Sequence, residues 1–247
     1  MGSEMCIRDR PLTTQLYDYF HSQELPLLQG YGLTESSPII SVSTLENDRR
    51  GAVGLPLPDV EVKIAEDGEV LTKGPHVMVG YWKNEAATNE VIHDGWLYTG
   101  DLGRVDEDGF LYITGRKKEL IVTATGKNVA PAYLEALLVE DAVIAQALVI
   151  GDNRKFLTAL IVPDCDAIRK ALDVEELPEL NSESVHALLE DRIATRLAEV
   201  AKNERIGKFT VLERAFTADE GELTAKLSLR RNVIEEHFAD LIEAMYS

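Results

Sequence analysis

Residues 95–119, GWLYTGDLGRVDEDGFLYITGRKKE, decide how the rest of the chain is read, and they predict two strands followed by a hinge. The apolar pair Trp96 and Leu97 leads into a polar step, Tyr98-Thr99-Gly100-Asp101, and Asp106-Glu107-Asp108-Gly109 carries the Asp-Gly signal of a hairpin turn. Asp101 and Arg116 then fall at opposite ends of one hairpin. There a carboxylate can accept from a ribose diol while a fork of N–H donors covers the oxygens beyond. Such a pair suits a nucleotide. In isolation it reads more simply as a solvent-facing salt bridge, which is common and weak, so the surrounding chain has to decide.

Composition narrows the field. A chain of 247 residues holds one large domain or two ordinary ones, and 45% hydrophobic residues are enough for buried cores. The 25 basic against 43 acidic residues, net −18, argue against nucleic acid or an anionic membrane as the primary partner. The acids are spread along the chain, so no basic ligand is implied either. Cys6 and Cys165 match no metal or redox spacing and fit a reducing, cytoplasmic setting. No apolar run is long enough to span a bilayer, and no signal peptide with an apolar centre is present. The opening MGSEMCIRDR, residues 1–10, has neither helical nor strand period and is expected to be a non-native leader left by cloning or sequencing.

Upstream of the hairpin, Leu12, Leu16, Tyr19 and Phe20 space as one helix face, and residues 25–29 read as a short buried strand. Next comes Gly30-Tyr31-Gly32-Leu33-Thr34-Glu35. Its glycines permit a sharp turn and the approach of a flat ligand, its hydroxyl suits a phosphate oxygen and its carboxylate suits Mg²⁺. By itself this is a weak signal, since a Gly-Tyr-Gly turn with a Thr/Glu cap also serves purely structural ends. Residues 51–74 alternate as short strands around the turn Glu66-Asp67-Gly68, the material of a small antiparallel sheet or barrel. Tyr81, Trp82 and Trp96 read as core aromatics, and 84–92 as a short helix capped by Asn84. Downstream, 120–122 predicts a strand, 124–128 a polar loop, and Pro131 a helix start. Residues 143–150 and 156–162 predict an apolar hairpin, 164–172 and 182–202 helices, 209–212 a strand and 230–245 a last helix. The fold class is thus α/β and α+β multidomain: part of a large domain over 11–115, a hinge at 116–119, and a compact α+β domain over 120–247.

GYGLTE, GWLYTGDLG and GRKKELIVTATGKNVAPAYLE, in that order and at these separations, resemble the adenylate-forming superfamily, and most its long-chain fatty acyl-CoA synthetases. The likeness covers about residues 11–247. It implies an acid–thiol ligase that uses fatty acid, ATP with Mg²⁺, and CoA: a carboxylate attacks the α-phosphate of ATP, and the CoA thiol then displaces AMP. By the same resemblance Tyr31 and Gly32 line the adenine, Thr34 holds phosphate oxygen, Glu35 binds Mg²⁺, and Asp101 accepts both ribose hydroxyls with Arg116 beside it. Lys118 falls at the family's hinge, Lys127 near the nucleotide, and Thr125 and Gly126 on the loop that approaches CoA. A cytoplasmic protein is implied, with room for peripheral membrane contact.

Three departures stand out. Thr125 replaces a usual glycine, which puts thioester formation in doubt. In residues 221–231, GELTAKLSLRR, Ser228 stands where the adenylation lysine belongs, with Lys226 two residues earlier, on the same face if the segment is extended. The family's Ser/Thr/Gly-rich phosphate loop with its Pro-Lys-Gly does not occur in these 247 residues. The chain is therefore expected to be the C-terminal part of a synthetase, inactive by itself. An adenylation module serving a carrier protein and a non-catalytic nucleotide-binding or scaffold protein remain open as alternatives.

Overall fold

The computed structural model describes residues 12, 14–225 and 227–247, and these divide into two compact units, one within Pro11–Glu119 and one within Leu120–Ser247. In the first unit α1 (Thr14–Ser22) precedes a three-stranded antiparallel sheet of β1 (Gly30–Tyr31), β2 (Ser41–Val42) and β3 (Leu55–Pro56). Residues 25–29 form no helix or strand: Leu25 is 60% and Leu28 44% exposed, so the buried strand expected there is absent. A short apolar run cannot by itself distinguish a strand from a loop.

β4 (Glu61–Ile64), β5 (Glu69–Lys73), β6 (Ile92–His93), β7 (Trp96–Val105) and β8 (Leu111–Arg116) make a five-stranded sheet. Its pairing is open, β4-β5-β7-β6 with β8 also on β7, so the alternating segments of 51–74 enter a sheet and not a barrel. The Asp-Gly turn closes the β7–β8 hairpin, with Gly109 at φ +89° and its N–H on the Asp106 carbonyl at 3.0 Å. Register pairs Asp101 directly with Arg116. α2 (Glu85–Val91) is capped as expected, the Asn84 side chain accepting from Ala87 N–H at 3.1 Å. The small sheet is tied to the large one by backbone bonds between Val53 and Leu111 and between Leu111 and Gly54. Gly54 is obligatory there: it sits at φ +92°, and a Cβ would lie 2.0 Å from the Val42 carbonyl carbon. The expected core role of two aromatics does not hold, since Trp82 is 87% and Tyr81 37% exposed.

The second unit opens with the pair β9 (Ile121–Val122) and β10 (Asn128–Val129), then α3 (Pro131–Val139) with proline in its first turn. β11 (Ile144–Ile150) and β12 (Leu157–Pro163) pair antiparallel, and β13 (Ile206–Val211) joins β12 in parallel after a crossover through α4 (Cys165–Ala171) and α5 (Glu183–Arg196). Alternation sorts the core: Ala147, Val149, Ala159 and Ile161 pack into the cluster that holds Leu134, Leu138 and Leu189, whereas Leu148, Ile150, Leu160 and Val162 pack with Ile234, Ile242 and Met245. Both faces are covered, so these strands read as near-continuous apolar runs, interrupted by Gln146 and Thr158. α5 ends at Arg196, short of the residue 202 expected from the sequence; Arg196 docks on the end of α3, donating to the Glu140 carbonyl at 3.0 Å. The last helix is two, α6 (Arg231–His237) and α7 (Ala239–Tyr246), broken at Phe238, whose φ −111° and ψ 21° leave the helical range.

Candidate nucleotide site

The site is built at the foot of the β7–β8 hairpin. Asp101 is buried, 7% exposed; its Oδ2 accepts from the Tyr31 hydroxyl at 2.8 Å and its Oδ1 lies 3.4 Å from Arg116 Nε. β1 and the hairpin thus bring together three residues that are far apart in sequence. Loss of water around Asp101 raises its carboxyl pKa above the ordinary value of 3.8, against the lowering effect of Tyr31 and Arg116. Burial, reinforced by the Asp101 charge, holds the Tyr31 phenol well above its ordinary value, so it stays a neutral donor. A carboxylate offers about four lone-pair sites. With one hydroxyl and one guanidinium engaged, Asp101 retains acceptor capacity for a diol.

Thr34, Glu35 and Ser36 form one 3₁₀ turn after β1, ended by Ser37 at φ 52°. Ser36 is fully buried and ties back to Leu33 N–H at 2.8 Å, which leaves Thr34 exposed and Glu35 partly so. Glu35 Oε1 accepts from the Tyr81 hydroxyl at 2.7 Å; Oε2 accepts no hydrogen bond among the described residues. Mg²⁺ is commonly held by one or two carboxylates plus substrate phosphates, and Glu35, with one oxygen left over beside the Tyr81 bond, could serve as one such carboxylate. Gly32 serves the loop itself: a Cβ there would lie 1.8 Å from the Pro38 carbonyl oxygen.

Lys118 is exposed in the 3₁₀ turn Lys117–Glu119. In the second unit, Thr125, Gly126 and Lys127 lie on the exposed β9–β10 turn, where Thr123 N–H bonds the Lys127 carbonyl at 3.0 Å and the Thr123 and Thr125 hydroxyls meet at 2.9 Å. Gly126 has φ +75° and open space around it. Lys226 lies outside the described residues. On either side of it, Thr224 N–H bonds the Ser228 carbonyl at 2.9 Å, and Leu223 and Leu229 form an antiparallel bridge.

Sequence reading missed three members of this neighbourhood. Tyr81 grips Glu35; Glu69 accepts from Gly100 N–H at 2.8 Å; and Lys117 pairs with Glu69 at 2.7 Å and Asp67 at 2.6 Å. Their sequence signal was faint: Glu69 and Lys117 look like ordinary surface residues until the sheet register is known, and Tyr81 reads as a core aromatic.

Residues 118–247, more than half the chain, match the family described as AMP-binding enzyme C-terminal domain, and residues 8–82 match AMP-binding enzyme. The chain belongs to the AMP-binding enzyme family. It is 43% identical over 249 residues to the long-chain-fatty-acid–CoA ligase FadD15 of Mycobacterium bovis, covering 96% of this chain and 41% of that protein. It is 35% identical to the long-chain-fatty-acid–CoA ligase ACSBG1 of Rattus norvegicus, over 96% of this chain and 37% of the relative. It therefore spans about two fifths of the length of the curated relatives it matches. Among solved structures it is similar to the o-succinylbenzoate CoA synthetase MenE of Bacillus subtilis in complex with ATP and magnesium, at 30% identity and TM-score 0.67, covering 91% of this chain and 44% of that one. The adenylation domain of a carboxylate reductase from Mycobacterium chelonae superposes with TM-score 0.73 over 96% of this chain and 37% of its own, at 24% identity, a likeness of fold.

Proposed function

We propose that this chain supplies the ribose side of the nucleotide site and the small C-terminal domain of an ATP-dependent long-chain fatty acid–CoA ligase. The observation that carries this reading is the Tyr31–Asp101–Arg116 arrangement, a buried carboxylate with acceptor capacity to spare, in a chain 43% identical to such a ligase. In the reaction, a fatty carboxylate oxygen bonds to the α-phosphorus and pyrophosphate leaves; the CoA sulfur then bonds to the acyl carbon and AMP leaves. The protein's share is positioning and charge. Asp101 accepts from the ribose hydroxyls, Tyr31 holds Asp101 in place, Arg116 neutralises it, and Tyr31 and Gly32 flank the base. Thr34 meets a phosphate oxygen. Mg²⁺ held by Glu35 would offset phosphate charge. Lys118 is the hinge, Lys127 a basic neighbour of the nucleotide, and Thr125 and Gly126 the loop facing CoA; Lys226, in place of a lysine at Ser228, is the candidate adenylation lysine. Asp101→Ala removes two charge-assisted bonds and should weaken AMP binding about a hundredfold, roughly 3 kcal/mol. Calorimetric titration of AMP into the chain and the variant checks this, and a change below fivefold would assign Asp101 a structural role.

A further inference from the structure

Glu69, on β5, is 4% exposed, and both of its oxygens are committed: Oε1 to Gly100 N–H at 2.8 Å, Oε2 to Lys117 Nζ at 2.7 Å. The register of β5 on β7 shifts between Glu69 and Leu71, and Gly100 sits at φ +73°, so its N–H turns to a side chain where a regular ladder would offer a carbonyl. Gly100 directly precedes Asp101, and Lys117 directly precedes Lys118. One buried carboxylate therefore grips both the backbone beside the proposed ribose acceptor and the side chain that directly precedes Lys118 within the 116–119 segment.

We propose that Glu69 is a positioning residue that couples the two: with Lys117 in place it fixes Gly100 and hence Asp101, and it makes Lys117 the last anchored residue, so that any swing begins at Lys118. The proposal deepens the reading of 116–119 as a hinge and rests on it. Lys117 is not the solvated lysine of an ordinary linker, because a second carboxylate, Asp67, holds it at 2.6 Å. Bonds to Asp67 and Glu69 hold its ammonium well above the usual lysine range. The boundary between the compact units falls two residues further on, between Glu119 and Leu120. Without Lys117, a carboxylate almost out of water would lose its countercharge and draw water in, loosening its bond to Gly100.

Hydrogen exchange read by mass spectrometry on the 247-residue chain tests this, with Lys117→Ala, Lys117→Arg and Glu69→Gln. Lys117→Ala should speed exchange of amides 98–101 about tenfold, although the substituted side chain does not touch them. Lys117→Arg should restore protection, and Glu69→Gln should loosen 98–101 and 117–119 together, with β2 and β3 of the same unit unchanged as the control for folding. Unchanged exchange at 98–101 in Lys117→Ala, or no rescue by Lys117→Arg, would overturn the coupling. Lys117 is 43% exposed, so its alanine variant should stay folded even where Glu69→Gln does not. No nucleotide is added, so failure of the ribose-site reading would appear in the AMP titration and leave this result standing. Core-like protection of 117–120 in the wild type would count against the hinge alone.

Discussion

Asp101 is a carboxylate with little water around it, and that circumstance sets how the site should respond to pH. Its pKa is raised, so the folded chain favours the neutral acid. Any stability from that preference is fully present below the ordinary value of 3.8 and is lost as pH rises through the raised value. On the proposed reading of the site, nucleotide binding runs the other way, because only the carboxylate would accept both ribose hydroxyls. AMP affinity should therefore climb as pH rises through a midpoint above 3.8, and Asp101→Asn should flatten the climb. A titration series at several pH values reads this directly; an unshifted midpoint would mean that Arg116 and Tyr31 outweigh burial. The residue types at the site were legible in the sequence. Which of them meet was not, since Tyr31 reaches Asp101 only through the placement of β1 beside the hairpin, a contact spanning 70 positions.

The hairpin at 223–229 shows how an element can be fixed by one residue at its base. Glu222 is fully buried; it takes Arg214 on both oxygens at 2.8 and 2.6 Å, His237 Nδ1 at 2.9 Å and Thr217 N–H at 3.1 Å, while its own carbonyl accepts from Arg230. Arg214 leads the forces that lower its pKa from 4.5 to about 2. A lowered carboxyl stabilises the fold fully above pH 4.5, and that contribution is lost as pH falls through about 2. Glu222→Gln should cost about 2–3 kcal/mol near neutrality and less towards pH 2, checked by urea unfolding at both. Strong local signals made most elements readable: the Asp-Gly turn, the Asn84 cap, Pro131 at a helix start, and the apolar run of β11 and β12. What failed were features fixed by distant contacts. Phe238, at the break, meets Phe216 edge to face across 22 positions, and the exposure of Leu25, Tyr81 and Trp82 has no local sequence signature. The Leu223–Leu229 bridge is accompanied by Ser228 N–H donating to the Thr224 hydroxyl at 3.1 Å, a local bond that the sequence reading did not foresee.

At the scale of the whole molecule, two compact units carry different parts of one proposed reaction. Asp101, Arg116, Thr34 and Glu35 belong to the first unit, and the β9–β10 turn and the hairpin 223–229 to the second. No helix among the described residues is long and apolar enough to cross a membrane. The central claim is narrower: Asp101 reads a ribose diol. Its most direct test is a calorimetric comparison of AMP with 2′,3′-dideoxy-AMP, in the wild-type chain and in Asp101→Asn. Loss of both hydroxyls should weaken binding to the wild type by about a hundredfold, the worth of two charge-assisted bonds, and should make little difference to the variant. Equal affinity of the wild type for the two nucleotides would contradict the account.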